Sequence, residues 1–358
     1  MILTPEIIKR YKTFWAHEDT DRPLLNITVR NKSVEWDIPT PKTARERWEN
    51  LEFRYAASKH GHKTNTGFGE HVPHDWVNFG PGCLAAMIGS DYLPLEGTIW
   101  FGEEITFLKD WDNLKNVYLR EDAPMYNMVA DMTKMLLDRN DGSYLVGMSD
   151  LGGNLDILAS LRNTQVLLMD IYDNPELVLK AVDIIDELWI TYFKKLRKMM
   201  KDSGQYGHTT WLGLWCETSY FPLQCDFGAM ISPDDFAKFV MPSLKRVTNF
   251  LGHSIFHLDG PGMICHLDQL LSIDRLDGIQ WVEGAGNPAP YDECWFPMYE
   301  KIQAAGKALV LTQMWSADKV LEMCRHFSPK GLYMGIEVDS EEEAKELLVK
   351  TKELSRRH

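Results

Sequence analysis

The sequence predicts an α/β fold, and within that class a single (β/α)8 TIM-type barrel over residues 1–358 with an elaborated amino-terminal region. Three observations carry the prediction. Apolar runs of strand length alternate with longer amphipathic stretches, the pattern of a parallel sheet with helical crossovers. The stretch from His253 to Gly286, HSIFHLDGPGMICHLDQLLSIDRLDGIQWVEGAG, reads as strand, turn, helix and strand, a βαβ unit. The strands number about eight, and a closed barrel with insertions reaches a length of 358 residues as one domain.

Each element has a local reason. Residues 4 to 17 read as a first helix and Arg22–Val29 (RPLLNITV) as a strand. Thr43–Lys59 reads as an amphipathic helix, with Trp48, Leu51 and Tyr55 on one face and the charges on the other. Residues 61 to 112, rich in Gly, Pro, His and Trp, are expected to form an insertion or lid over the barrel mouth. Met125–Leu137 reads as a helix, and Ser143–Met148 as a strand ending on Ser149, Asp150 and the pair Gly152-Gly153. Asp156 begins another helix. Asp173-Asn174-Pro175-Glu176 opens a long helix to Lys201 with a cap residue, a first-turn proline and an early acid.

Thr209–Trp215 reads as a strand carrying two tryptophans, and Phe221–Asp226 as an apolar run ending on Cys225 and Asp226. Ser232-Pro233-Asp234-Asp235 repeats the start signal for a helix to Leu251. In the stretch from His253 to Gly286, Ser254-Ile255-Phe256 runs into His257, Asp259 and Gly260. Met263, Leu267, Leu270 and Leu271 then recur at helical spacing, and Gly278–Val282 runs into Glu283. Phe296–Ala305 and Ser316–His326 read as helices, Ala308–Leu311 and Leu332–Ile336 as strands. Ser340-Glu341-Glu342-Glu343 is a capping box opening a charged terminal helix.

Composition narrows the function classes. The net charge of −14 argues against a nucleic-acid surface, which needs clustered Lys and Arg. The opening MILTPEIIKRYKTFW has no cationic leader followed by an apolar run, and no segment is long and apolar enough to span a membrane. The expectation is a soluble cytoplasmic protein. Cys83, Cys216, Cys225, Cys265, Cys294 and Cys324 are scattered and form no CxxC, so they read as small apolar residues rather than as a disulfide framework.

In barrels, ligands collect at the carboxyl ends of the strands. The polar residues expected there are Asp150, Asp226, His257, Asp259, Gln280, Glu283 and Gln313. Trp211, Trp215 and Trp281 lie in or beside the same strands, with Trp76, Trp100, Trp295 and Trp315 in nearby loops. Indole walls mixed with acids and amides suit a sugar, an aryl ether or a methylated amine. His257, Asp226 and Glu283 are the candidate catalytic groups, since carboxyls whose pKa values are driven apart by burial can serve as acid and base. Asp150, Trp211, Trp215, Asp259, Gln280, Trp281 and Gln313 are the candidate substrate contacts. Helix capping and ordinary core packing are the competing reading of each.

Ile171-Tyr172-Asp173-Asn174-Pro175-Glu176, then Ile231-Ser232-Pro233-Asp234-Asp235-Phe236 with Phe239-Val240-Met241-Pro242-Ser243-Leu244-Lys245, then His257-Leu258-Asp259-Gly260, resemble in order and spacing the uroporphyrinogen decarboxylase superfamily. The resemblance runs over about residues 140 to 358. It implies a distorted barrel with the site at its carboxyl-terminal mouth, in metal-free decarboxylases and in zinc-dependent methyltransferases that serve corrinoid proteins. The decarboxylases' arginine-rich segment is missing, that region reading Asp21-Arg22-Pro23-Leu24-Leu25, so porphyrinogen decarboxylation is not expected. The methyltransferases' His-x-Cys becomes His257-x-Asp259, and their later cysteine is absent from Gly335-Ile336-Glu337-Val338. A metal, if bound, would then take His257, Asp259 and Glu337, a harder set suited to an oxygen ligand. The competing reading has His257 and Asp259 hydrogen-bonding each other and a ligand hydroxyl.

Three function classes follow. The first is a methyltransferase-like enzyme of corrinoid-dependent one-carbon metabolism. It moves a methyl group from a small substrate to a separate corrinoid protein, since the chain lacks the DxHxxG pattern of a cobalamin domain. The second is a lyase or hydrolase acting on a sugar or polyol through Asp226, Glu283 and His257. The third is a binding barrel without catalysis. A homodimer facing mouth to mouth, as occurs in the superfamily, is left open.

Overall fold

The structure is a computed structural model and describes residues 2–102, 106–314 and 316–355. Trp315, expected at the mouth, lies outside them. The strands in chain order are β1 (Leu24–Arg30), β2 (Asn65–Gly69), β3 (His74–Trp76), β4 (Tyr92–Pro94), β5 (Ile99–Phe101), β6 (Leu145–Gly147) and β7 (His208–Thr209). They continue with β8 (Trp215–Cys216), β9 (Tyr220–Leu223), β10 (His253–Asp259), β11 (Gly278–Val282), β12 (Ala308–Met314) and β13 (Leu332–Val338).

A central sheet runs β2-β1-β13-β12-β11-β10-β9, parallel throughout except for β2, which pairs antiparallel with β1. Helices connect its parallel strands, so the α/β class and the crossovers expected from the sequence are present. Among the described residues the hydrogen-bonded ladder does not close. β3 and β6 form a separate parallel pair, β7 and β8 a small hairpin, and β4 and β5 another. These segments are two or three residues long, and their backbone groups turn to side chains and loops. One link, from the Met148 N–H to the Thr209 carbonyl at 3.0 Å, joins the end of β6 to β7.

Two expected elements are broken. The run Thr209–Trp215 is no continuous strand, because the chain turns back at Gly213, whose φ of +70° suits glycine. The helix expected over Thr43–Lys59 divides at Asn50 into Ala44–Glu49 and Leu51–Thr64, neither burying a residue fully. Asn50 ends the first and caps the second, its side chain accepting the Phe53 N–H at 3.0 Å. Within residues 61–112, the helix Cys83–Ile88 is buried along its whole length, while the β4–β5 hairpin carries the exposed Trp100.

Alternation along the strands sorts side chains into two cores. Phe256, Leu258, Ile279 and Leu309 face the helical layer, where Trp189 and Phe193 of the helix Pro175–Asp202 meet Phe221. Ile255, Val310 and Tyr333 face the opposite side, closed by Tyr11, Phe14 and Trp15 of the first helix and by Leu212, Leu214 and Trp215. The Trp15 indole donates to the Trp215 carbonyl at 2.8 Å, which ties the first helix to that hairpin. The terminal helix starts as its sequence requires, with Ser340 Oγ accepting the Glu343 N–H at 3.1 Å. No helix among the described residues is long and apolar enough to cross a membrane.

Arg22, in the stretch that lacks the decarboxylases' arginine cluster, has a structural task. It forks onto the buried Glu70 carboxylate with two bonds of 2.7 Å, and Glu70 also accepts the Leu25 N–H at 2.9 Å. Such a bidentate pair fixes the entry of β1.

Candidate functional site

The site grows from β10. His257 and Asp259 share a face with Ile255, and His257 lies in register with Gln280 on β11. The Gln280 amide nitrogen donates to Thr312 Oγ1 at 3.0 Å, so its oxygen faces His257 Nδ1 at 2.7 Å. That oxygen only accepts, so Nδ1 carries a proton and Nε2 is left free of Gln280. Gln280, expected as a substrate contact, is therefore a buried group that orients the histidine.

Trp211 stands edge-on to His257, ring centres 5.1 Å apart at 86°, and Trp76 lies 6.3 Å from Trp211. The indole N–H groups of both tryptophans are buried without a partner among the described residues. The other two strand tryptophans are elsewhere. Trp215 is wholly buried between Tyr11 and Tyr206, and Trp281 faces the helices, packed on Trp295 at 4.8 Å. Trp281 is removed from the site by the alternation of strand side chains and Trp215 by the turn at Gly213.

The acids divide in the same way. Asp150 follows β6, is 5% exposed, and accepts the Gly152 N–H at 2.9 Å. Burial, helped by the charges of Asp226 and Asp156, pushes its carboxyl up to about 8. Asp156, in the first turn of the helix Asn154–Arg162, accepts the N–H groups of Asp226 at 3.0 Å and Phe227 at 2.8 Å. Burial and the neighbouring Asp226 raise it to about 7. Asp226 reaches solvent at the rim, yet the walls around it withdraw enough water to raise its proton affinity. His257 pulls the other way, and Asp259 pushes it further up.

Glu283 stays apart. It is 8% exposed, and after burial its charge is what most raises the Tyr299 hydroxyl on the helical side, the side Trp281 faces. Gln313 and Glu337 border a second cleft, of about 850 Å³, at the ends of β1, β12 and β13, with Asn26, Thr28 and Thr312. Glu337 lies 3.8 Å from Arg30. Glu337 on β13 sits beside Arg30, His257 and Asp259 are on β10, and no group of three His, Cys, Asp or Glu side chains among the described residues is gathered as a metal would need. These residues do not fit the three-ligand zinc set.

Asp156 and Gln224 were missed by sequence reasoning. Asp156 looked like an ordinary first-turn acid, and only its distance of six residues from Asp150 hinted at more. Gln224 follows β9 on the face that Tyr220 shares, is 5% exposed, and makes no side-chain hydrogen bond to a described residue. Both line a cleft of about 300 Å³ that also takes in Asp226, Phe227 and, from the β4–β5 hairpin, Trp100 and Phe101. Cys225, the one thiol beside polar groups in the sequence, is buried with its proton affinity raised well above the ordinary value, chiefly by burial, and so is no nucleophile.

The arrangement can hold or release protons near neutral pH beside the His257 imidazole and indole walls, at the carboxyl ends of parallel strands. No family model and no curated protein matches the chain. Among solved structures, a methyltransferase from Methanosarcina mazei matches with a TM-score of 0.59 at 14% identity, covering 97% of this chain and 98% of that one. The chain shares that protein's fold from end to end.

Proposed function

We propose that the chain is a methyltransferase-like enzyme of corrinoid-dependent one-carbon metabolism, moving a methyl group from a small substrate to a separate corrinoid protein. In this reading the strands belong to a barrel of the uroporphyrinogen decarboxylase type. The observation that carries it is the carboxyl set Asp150, Asp156 and Asp226 beside His257, in a chain with a methyltransferase's fold.

A heteroatom that gives up its methyl group leaves well only when it departs neutral. The acids manage the charge at that atom. A neutral ether takes a proton from one of them as the carbon–oxygen bond breaks, and a donor that is already cationic is held by their ionised forms. His257, fixed by Gln280, presents Nε2 as the base that keeps the proton count of the pair. Trp211 and Trp76 exclude water from one side. The partner's corrinoid supplies the nucleophile that accepts the methyl group.

The test is methyl transfer from a panel of methoxy and methylamino compounds to a purified, reduced corrinoid protein, followed by the absorbance of the methylated corrinoid. Asp226→Asn is expected to lower the rate by about 100-fold or more. Breakdown of a sugar or polyol with no acceptor protein present would overturn this reading in favour of a lyase or hydrolase.

A further inference from the structure

We infer that the cleft between the β4–β5 hairpin and the Asp156–Asp226 pair is a binding site for a methylated ammonium cation. The inference rests on the methyl-transfer reading only for the fate of the ligand, not for its capture.

Three independent features of the cleft point to a small cation. Its charged side chains are both acidic, Asp156 and Asp226, and no lysine, arginine or histidine lines it among the described residues. The two acids lie together, the Asp226 backbone N–H donating to the Asp156 carboxylate at 3.0 Å, and a cation held by both relieves their repulsion and their loss of water at once. Opposite them the hairpin presents aromatic rings, Trp100 and Phe101, and Trp100 is 53% exposed. An indole face left open beside carboxylates is the usual means of holding a quaternary or tertiary ammonium, whose methyl groups spread the charge over the ring. Gln224 is the third feature. Its amide is almost fully buried, bonds no described residue, and lines this cleft, so its oxygen is left for a ligand N–H or for a polarised methyl group.

Size agrees with the chemistry. A volume of about 300 Å³ lies at the small end of ligand sites, enough for a choline-sized molecule and too small for a tetrapyrrole. A methylated ammonium also needs no protonation before it reacts. The methyl carbon–nitrogen bond breaks, its electron pair stays on nitrogen, the amine departs neutral, and the methyl group bonds to the electron pair of the partner's nucleophile. The ionised acids are then needed only to bind and orient the donor.

The experiment is calorimetric titration of the whole protein near neutral pH with choline, against its neutral isostere 3,3-dimethylbutan-1-ol. Choline is expected to bind about tenfold tighter or better. Asp226→Asn and, separately, Trp100→Ala are expected to weaken choline by about tenfold each, with unchanged far-UV circular dichroism. Gln224→Leu gives a third reading that leaves the acids in place, and it is expected to weaken choline as well. Equal binding of the two compounds, no binding of either at millimolar concentration, or unchanged choline affinity in folded Asp226→Asn and Trp100→Ala would overturn the assignment. Methyl transfer from a neutral ether, with no choline binding, would overturn it and leave the methyltransferase reading standing. Choline binding as expected, with no transfer from any donor to a corrinoid protein, would do the reverse.

Discussion

Replacing Asp150 by asparagine is expected to stabilise the protein, and to do so more at high pH than at low. Asp150 is 5% exposed, and burial, with Asp226 and Asp156 nearby, lifts its carboxyl from 3.8 to about 8. Between those two values the folded chain holds a proton that the unfolded chain has released. Stability therefore falls as pH rises from about 4 to about 8 and levels off above, the reverse of a carboxylate held in an ion pair. At 1.36 kcal/mol per pH unit, the gap between 3.8 and about 8 bounds the loss at roughly 5–6 kcal/mol. Asparagine keeps an oxygen for the Gly152 N–H, now 2.9 Å from Asp150, and has no charge to desolvate. Urea unfolding of both proteins between about pH 5 and pH 9 reads the difference directly, since the midpoint follows stability at constant slope. The two are expected to differ by about 1–2 kcal/mol at the acid end and by about 3–5 kcal/mol at the alkaline end, the asparagine form being the more stable. A difference that stays constant across the range would refute the reasoning, because it would mean that Asp150 titrates alike in the folded and unfolded chains.

Further substitutions probe the supports of the site. Gln280→Leu removes the acceptor that holds the proton on His257 Nδ1. Nitrogen-15 shifts of the imidazole should then report a move toward the Nε2–H form, and an unchanged tautomer would show that Gln280 does not set it. Arg162→Ala strips the buried Asp170, 4% exposed, of its 2.7 Å partner and should cost about 3–5 kcal/mol, part of which Arg162→Ala with Asp170→Ala should restore. Full additivity of that pair would count against coupling. In Gly153→Ala the new Cβ would lie 2.1 Å from the Gln224 carbonyl oxygen, backbone that cannot yield cheaply. A loss of about 1–3 kcal/mol, read from the melting temperature, is expected, and a wild-type value would contradict the close approach.

Much of the architecture was legible because it is written locally. Pro175 and Pro233 sit at the first turns of their helices, and Ser232 caps its helix by accepting the Asp235 N–H at 3.1 Å. The long strands β10, β11 and β13 appear where apolar runs end on polar residues. The segments β3, β6, β7 and β8 were harder to read, since a strand of two or three residues has too few side chains to show a period. The same limit misled the reading of the tryptophans. Trp211 and Trp215 both fell in one apparent strand, and the turn at Gly213 sends one to the site and the other into the core.

By itself the sequence determined the α/β class, most helix starts, and the placement of His257, Asp259 and Asp150 at strand ends, because capping chemistry and hydrophobic period act between near neighbours. Which of those groups meet was decided only by the tertiary structure. Asp150 and Asp156 follow β6 whereas Asp226 follows β9, and after burial the charges of Asp226 and Asp156 raise Asp150, while the Glu283 charge acts on Tyr299 and Glu337 pairs with Arg30. The physical reason is that convergence depends on strand register and on which face a side chain takes. A shift of one residue reverses that face while leaving composition and local propensity unchanged.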